Sequence, residues 1–304
     1  MLTTIVIPVL SLVAVFLFAV GKFSNQIRQT TDDKLRHYLN KFTKTPFRGL
    51  LVGTFFTAIV QSSTATTVIL VSIVGAGVLP FVNSLGVIFG ANIGTALATQ
   101  LVALKLSAIA PYIIIVGYLF SNFSERYKKL GKPIFYFGLI FFSLYLIGLY
   151  VEPLKDSQLA ISLFSSISNI YLAILFGFIF TAIIQASLVT SSLAVLLAGA
   201  GVLSFEQAIG LILGANLGTT TTALIAAIKL DVDAKKVAMA HFLFNFLGVL
   251  MLIPVYGYFV DLVKWIGGGL DQEVATANIL LNVFSAIIFL IFIKPFKRLI
   301  DLTV

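Results

Sequence analysis

Residues Gly53–Lys105 return 124 positions later as Gly177–Lys229, without a gap and with 24 identities in 53 aligned positions. Apolar sequence of low complexity aligns by chance, but chance does not match its rare polar members. Here Gln61 meets Gln185, Asn92 meets Asn216 and Thr95 meets Thr219. Gly75-Ala76-Gly77-Val78-Leu79 returns as Gly199-Ala200-Gly201-Val202-Leu203, and Gly90-Ala91-Asn92-Ile93-Gly94-Thr95 as Gly214-Ala215-Asn216-Leu217-Gly218-Thr219. The chain is an internal duplication, and its fold must be built from two copies of one unit.

Composition says what solvent the copies fold in. Of the 304 residues, 59% are hydrophobic and 11% charged, and the mean hydropathy is +1.07. Soluble domains carry about 25% charged residues, so an ordinary cytosolic enzyme is excluded, and so is disorder. The absence of cysteine removes disulfides, thiolate metal sites and a cysteine nucleophile. The apolar runs are long and continuous rather than alternating segments of roughly ten residues, which excludes a porin-like barrel. The expected fold is an all-α polytopic membrane protein. Its net charge of +8 belongs on cytoplasmic loops rather than against nucleic acid. The first apolar run, Leu2–Val20, has no Lys or Arg before it and Lys22 after it. That is the wrong polarity for a secretory signal, so it reads as a retained span with the N-terminus outside.

Each copy follows one plan. An apolar span (Leu2–Val20; Ile134–Val151) leads into a polar, interfacial stretch (Phe23–Pro46; Glu152–Asn169). Two short apolar arms then flank a polar knot, over 50–79 and 171–203, with the knots at Gln61–Thr67 and Gln185–Ser192. Arms of roughly 11–14 residues are too short to cross a bilayer that needs about 20, which predicts a re-entrant helical hairpin. A crossing interrupted by Gly-Ala-Asn-x-Gly-Thr follows, expected as a broken helix over 81–104 and 205–228, and then a span over 108–123 and 237–260. The units are thus 1–132 and 133–260, with a C-terminal span (Thr276–Ile293) and tail in 261–304.

Loop charges test the plan. If the hairpins return to their own side, each copy crosses three times and the second copy is inverted. The stretches Lys22–Arg48, Glu125–Lys132 and the tail after Ile293, all rich in Lys and Arg, then share one side. Glu152–Asn169 and Asp261–Glu273, with one Lys each, share the other. This satisfies the positive-inside rule loop by loop and gives seven crossings, with the C-terminus cytoplasmic, in a multi-pass protein of the inner (plasma) membrane.

The knots carry the chemistry. Gln61-Ser62-Ser63-Thr64-Ala65-Thr66-Thr67 holds six polar side chains in seven positions, and Gln185–Ser192 five in eight. Hydroxyls and amides at membrane depth need a partner. Ser/Thr contacts between helices would supply one, but two knots at equivalent helix breaks of an inverted repeat point instead to a transporter's midplane site. A helix resumes after each knot, so two helix N-termini, each worth about half a positive charge, would face an oxyanion such as phosphate. Hydroxyl and carbonyl oxygens are hard ligands that suit Na⁺. Asn92 and Asn216, among glycines, would join the ion sites where the backbone unwinds; close helix packing is the other use for those glycines. No Asp or Glu lies inside a predicted span, Glu206 sitting only at the start of one, and His241 stands alone in another. Proton relays use such groups, so Na⁺ coupling is preferred to H⁺. Neither zinc ligands nor a base beside the serines is present, which excludes an enzyme.

These two knots, each followed by Gly-Ala-Asn-x-Gly-Thr, resemble the type II sodium-dependent phosphate cotransporter family in a short, bacterial-type form. The resemblance is specific over Gly53–Lys105 and Gly177–Lys229 and looser elsewhere. It implies Na⁺-driven uptake of inorganic phosphate by alternating access, with a hairpin-bearing transport domain moving against a scaffold. It implies a phosphate site at Gln61, Ser62, Ser63, Thr64, Gln185, Ser187, Thr190 and Ser191. It places Na⁺ near Thr66, Thr67, Asn92, Thr95, Ser192, Asn216 and Thr219. The second motif departs from the family pattern, since Ala186 and Leu188 replace hydroxyl residues. Expected partners are phosphate, Na⁺ as coupling ion and membrane lipid, with no resident cofactor and no nucleic acid; a homodimer is compatible. The competing readings are an anion channel and a Na⁺-coupled carrier of another small oxyanion.

Overall fold

The computed structural model describes residues 2–104, 109–123, 125–158, 162, 164, 166–167 and 169–304. Lys105 at the end of the duplicated window, residue 108 at the start of an expected span, and six positions of the Glu152–Asn169 stretch lie outside the described residues.

Among the described residues the chain is helical and without strands. The first half runs α1 (Leu2–Phe42), α2 (Pro46–Val60), α3 (Ser63–Gly75), α4 (Phe81–Ala103), α5 (Ala110–Phe123) and α6 (Glu125–Val151). The second runs α7 (Ile170–Ile184), α8 (Ser187–Gly199), α9 (Phe205–Ala227), α10 (Val232–Leu252), α11 (Tyr256–Ile266), α12 (Leu270–Ile291) and α13 (Ile293–Thr303). Every boundary of α7, α8 and α9 lies 124 residues beyond its counterpart in α2, α3 and α4. Duplicated sequence has produced duplicated local structure, to the residue.

Six helices among the described residues are long and apolar enough to cross a membrane: Ile5–Ile27, Phe81–Ala103, Lys129–Asp156, Phe205–Ala227, Val232–Ile266 and Leu270–Ile291. Three expected segments take other bounds here. The interfacial stretch expected over Phe23–Pro46 is not set off from the span before it, because α1 runs unbroken from Leu2 to Phe42. The expected span over 108–123 is described from residue 109 onward, where α5 supplies 14 helical residues. The expected span over 237–260 is divided: α10 ends at Leu252, Pro254 sits in a short 3-10 turn, and α11 begins at Tyr256. Proline lacks the N–H that a continuing α-helix needs.

The largest correction concerns the Gly-Ala-Asn-x-Gly-Thr crossings, which are not broken: α4 and α9 are continuous over 23 residues each. Gly86, Gly90 and Gly94 recur every fourth residue and so share one face. Along that face α2 runs parallel and in backbone contact. A Cβ on Gly90 would overlap the Leu50 carbonyl oxygen, and one on Gly94 would lie 2.6 Å from Thr54 O. Gly214 and Gly218 meet Ile174 and Phe178 of α7 in the same register. The glycines are a close-packed seam of the small-xxx-small kind.

Around these seams, α10 packs along α9 and α3, while α12 packs along α4 and α8. The C-terminal span, which has no counterpart in the sequence repeat, therefore takes the place toward one half that α10 takes toward the other. Phe89, Phe244, Phe289 and Phe296 stack at centroid distances of 4.6–6.1 Å and tie α4, α10, α12 and α13 together. Lys236 of α10 meets Asp301 of α13 at 2.7 Å. The helices α1, α5 and α6 pack chiefly on one another: α5 runs antiparallel on α6 through Gly117, Gly131 and Gly138, and α6 packs on α1, while α1 and α6 also share a buried core with α8 and the end of α4.

Candidate functional site

Each knot is a helix break made by two residues. Gln61 ends α2 in the left-handed region (φ 58°), and its N–H still reaches Thr57 O. Ser62 then extends (φ −151°) and its hydroxyl accepts from Ala65 N at 3.2 Å, which caps α3. The second copy repeats the turn, with Gln185 at φ 59°. Gln61 and Gln185 are the only non-glycine residues at positive φ among the described residues. Such backbones cost about 1–3 kcal/mol and concentrate at ligand-binding sites. The helices on either side of each break are joined behind the tip by a threonine pair, Thr57–Thr66 at 2.9 Å and Thr181–Thr190 at 2.6 Å between hydroxyl oxygens.

The two tips meet at one cavity of about 190 Å³, lined by Gln61, Ser62, Ser63, Thr64 and Thr95 from the first half and by Gln185, Ala186, Ser187 and Leu188 from the second. Ile184 of α7 and Phe16, Leu17, Val20 and Gly21 of α1 complete its wall. At ~30 Å³ per water, the space takes a few waters or one partly hydrated small anion. No charged side chain lines it, so its field comes from helix ends. The N-terminal turns of α3 and α8 offer N–H groups and partial positive charge, while the C-terminal carbonyls of α2 and α7 offer partial negative charge beside them. A site of this kind can hold an anion and a cation side by side.

The two halves are not equivalent. Gln61 is 5% exposed and its Nε2 donates to Ala58 O at 2.6 Å, whereas Gln185 is exposed and its amide makes no such bond. Ser62 caps α3, but Ala186 gives α8 no side-chain cap, so the first amides of α8 remain available. Six of the eight residues expected at the phosphate site line the cavity. Thr190 and Ser191 do not; both lie deeper, Thr190 against Thr181. Of the residues expected near Na⁺, Thr95 alone lines it. Thr66 and Thr67 donate to Ser62 O and Ser63 O just behind the first tip. Asn92 donates to Ile88 O, and Thr219 to Ala215 O, within their own helices; Asn216 sits in unbroken helix and does not line the cavity. Ser191 and Ser192 are fully buried, and neither hydroxyl has a protein partner. The α1 wall was not expected, since Phe16, Leu17 and Val20 look like any apolar span; only tertiary packing brings them to the knots.

This geometry defines a class, an all-helical protein with six candidate membrane spans and a polar, uncharged cavity where two repeated helix breaks meet. The Na⁺/Pi-cotransporter family pattern matches residues 15–149 and again 150–262, and the chain belongs to that family, which is one of transporters and not of enzymes. It is 30% identical to YqeW of Bacillus subtilis (strain 168), over 99% of this chain and 98% of that one. It is also 30% identical to the Escherichia coli (strain K12) protein named "Putative inorganic phosphate export protein YjbB", over 95% of this chain, and spans about half (54%) of that protein's length. A stretch of 103 residues, 32% of this chain and 17% of the relative, is 45% identical to sodium-dependent phosphate transport protein 2C of Rattus norvegicus. No solved structure matches.

Proposed function

We propose that this protein takes up inorganic phosphate with Na⁺ by alternating access at the shared cavity. The observation that carries this is the convergence of both knots, 124 residues apart in sequence, on one uncharged, dipole-lined space. Phosphate bridges the α3 and α8 N-terminal turns through Gln61, Ser62, Ser63, Thr64, Gln185 and Ser187. Na⁺ takes the carbonyl and hydroxyl oxygens behind the tips, at Thr66, Thr67, Thr95 and Ser192. The unpartnered Ser191 and Ser192 hydroxyls support oxygen ligation there, since a buried hydroxyl left unpaired costs about 1–3 kcal/mol. The elevator-like movement has a natural division: α1, α5 and α6 as scaffold, and the hairpin-bearing helices as the moving part. Flux of phosphate into Na⁺-loaded and Na⁺-free liposomes tests the reading directly, and the direction tests it against the export named for the E. coli relative.

In the same proposal the two halves, 1–132 and 133–260, are inverted in the membrane, with α5 as the seventh crossing and the hairpins re-entrant. Short helices of 15 and 13 residues broken at a polar tip support this, as does the charge asymmetry of the loops. The chain lacks cysteine, so single cysteines report sidedness cleanly. Cysteines at Lys44 and Lys294 are expected to label only from the cytoplasm, and those at Asp156 and Lys264 only from outside. Labelling of Lys44→Cys and Asp156→Cys from one side would end the inverted arrangement.

A further inference from the structure

His241 is a buried side chain that the transport reading does not use. It lies on α10, 1% exposed, and its Nδ1 is 3.2 Å from the Thr67 hydroxyl. That hydroxyl is also 3.0 Å from Ser63 O, to which it donates. A hydroxyl has one proton; with it directed at Ser63 O, the ring presents Nδ1–H and the Thr67 oxygen accepts. A relay then runs from α10 through Thr67 to Ser63, the first residue of α3 and a wall of the cavity. Its far end is rigid. Phe244, one turn on from His241, stacks on Phe89 at 4.9 Å, and α10 is clamped to α13 through Lys236 and Asp301.

The second tip has no such relay. The repeat mate of Thr67 is Ser191, whose hydroxyl is unpartnered, and α8 packs on α12 instead of α10. From this asymmetry we infer that His241 is a positioning residue: it fixes the first tip on α10 and leaves the second free to adjust to the substrate. The inference rests on the transport reading for its consequence, but the restraint itself is measurable without any substrate.

The test uses the cysteine-free chain with a single reporter at Thr64→Cys in the first tip or at its mate Leu188→Cys in the second. His241→Leu should raise the labelling rate at Thr64→Cys several-fold and leave Leu188→Cys unchanged. Thr67→Val, which removes the acceptor and keeps the shape, should do the same and so covers the case in which His241→Leu fails to fold. His241→Asn places an amide N–H near the Nδ1 position and should restore the wild-type rate. In transport, His241→Leu should raise the phosphate KM about tenfold, the size of one lost hydrogen bond, with kcat changed less than twofold, and His241→Asn should reverse it. Equal labelling changes at both tips, no change at either, or no rescue by asparagine would reduce His241 to a packing residue and overturn the proposal. If the labelling pattern holds while the wild type moves no phosphate, the restraint stands and the transport reading alone falls.

Discussion

Alanine at Gln61 or at Gln185 is expected to abolish phosphate flux while the protein stays folded, and alanine at Ser63 or Ser187 to do nearly the same. The four side chains line one cavity from two helix breaks, and each unmade hydrogen bond to phosphate costs about 1–3 kcal/mol, or roughly 5- to 150-fold in affinity. Glycine separates the two roles of the glutamines. At φ 58° and 59° glycine relieves a backbone that a side chain strains, so Gln61→Gly and Gln185→Gly should melt at or above the wild-type temperature and still transport nothing. Wild-type flux in the glycine variants would mean that the glutamines shape the turn and never touch substrate. Near-wild-type flux in all four alanine variants would take the knots out of the site.

The glycine seams carry the second large effect. Gly90→Val and Gly214→Val are expected to prevent the hairpins from docking, with little folded protein recovered in detergent. A Cβ at either position overlaps a carbonyl oxygen of the neighbouring helix, Leu50 on α2 or Ile174 on α7, and meets a backbone nitrogen at 2.6 Å on its other side. Backbone cannot turn aside as a flexible side chain can, so the penalty should reach or exceed the upper end of the ~1–3 kcal/mol typical of overpacking. Gly257→Ala is the control: nothing lies within 4 Å of an added Cβ there, and its melting temperature should match or slightly exceed the wild type. A Gly90→Val protein that melts like the wild type would show that the seam is looser than the structure has it.

Much of this was legible in the sequence, and the parts that were not share a cause. The duplication, the all-helical class and the two knots could be read because polar residues repeating in an apolar background have few explanations. The Gly-Ala-Asn-x-Gly-Thr segment reads as a helix break in sequence because glycine lowers helix propensity locally. The spacing Gly86, Gly90, Gly94 on α4, interleaved with Gly49 and Gly53 of α2, which meet Asn83 and Val87, signals a packing face instead, and that signal lies in the register between two helices. The α1 wall of the cavity, the exchange of α12 for a counterpart of α10, and the His241–Thr67 contact across 174 residues are all tertiary facts. A lone histidine in a span reads the same whether it fills space or holds a site in place.

The central claim is that a Na⁺ gradient drives phosphate through the cavity between the two tips. Each Na⁺ moving with the membrane field gains about 2.3 kcal/mol per 100 mV, and a tenfold Na⁺ gradient adds about 1.4 kcal/mol. One Na⁺ does little for a divalent anion opposed by the same field, so at least two are expected per phosphate. The measurement is radiolabelled phosphate uptake into proteoliposomes of the purified wild type, with an inward Na⁺ gradient, with K⁺ in its place, and with a proton gradient alone. The account predicts saturable uptake with Na⁺ only, rising with Na⁺ concentration more steeply than first order, and absent in Gln61→Ala. Uptake that is equal in K⁺, that follows the proton gradient, or that never saturates would contradict it, and the last result would make the protein an anion channel.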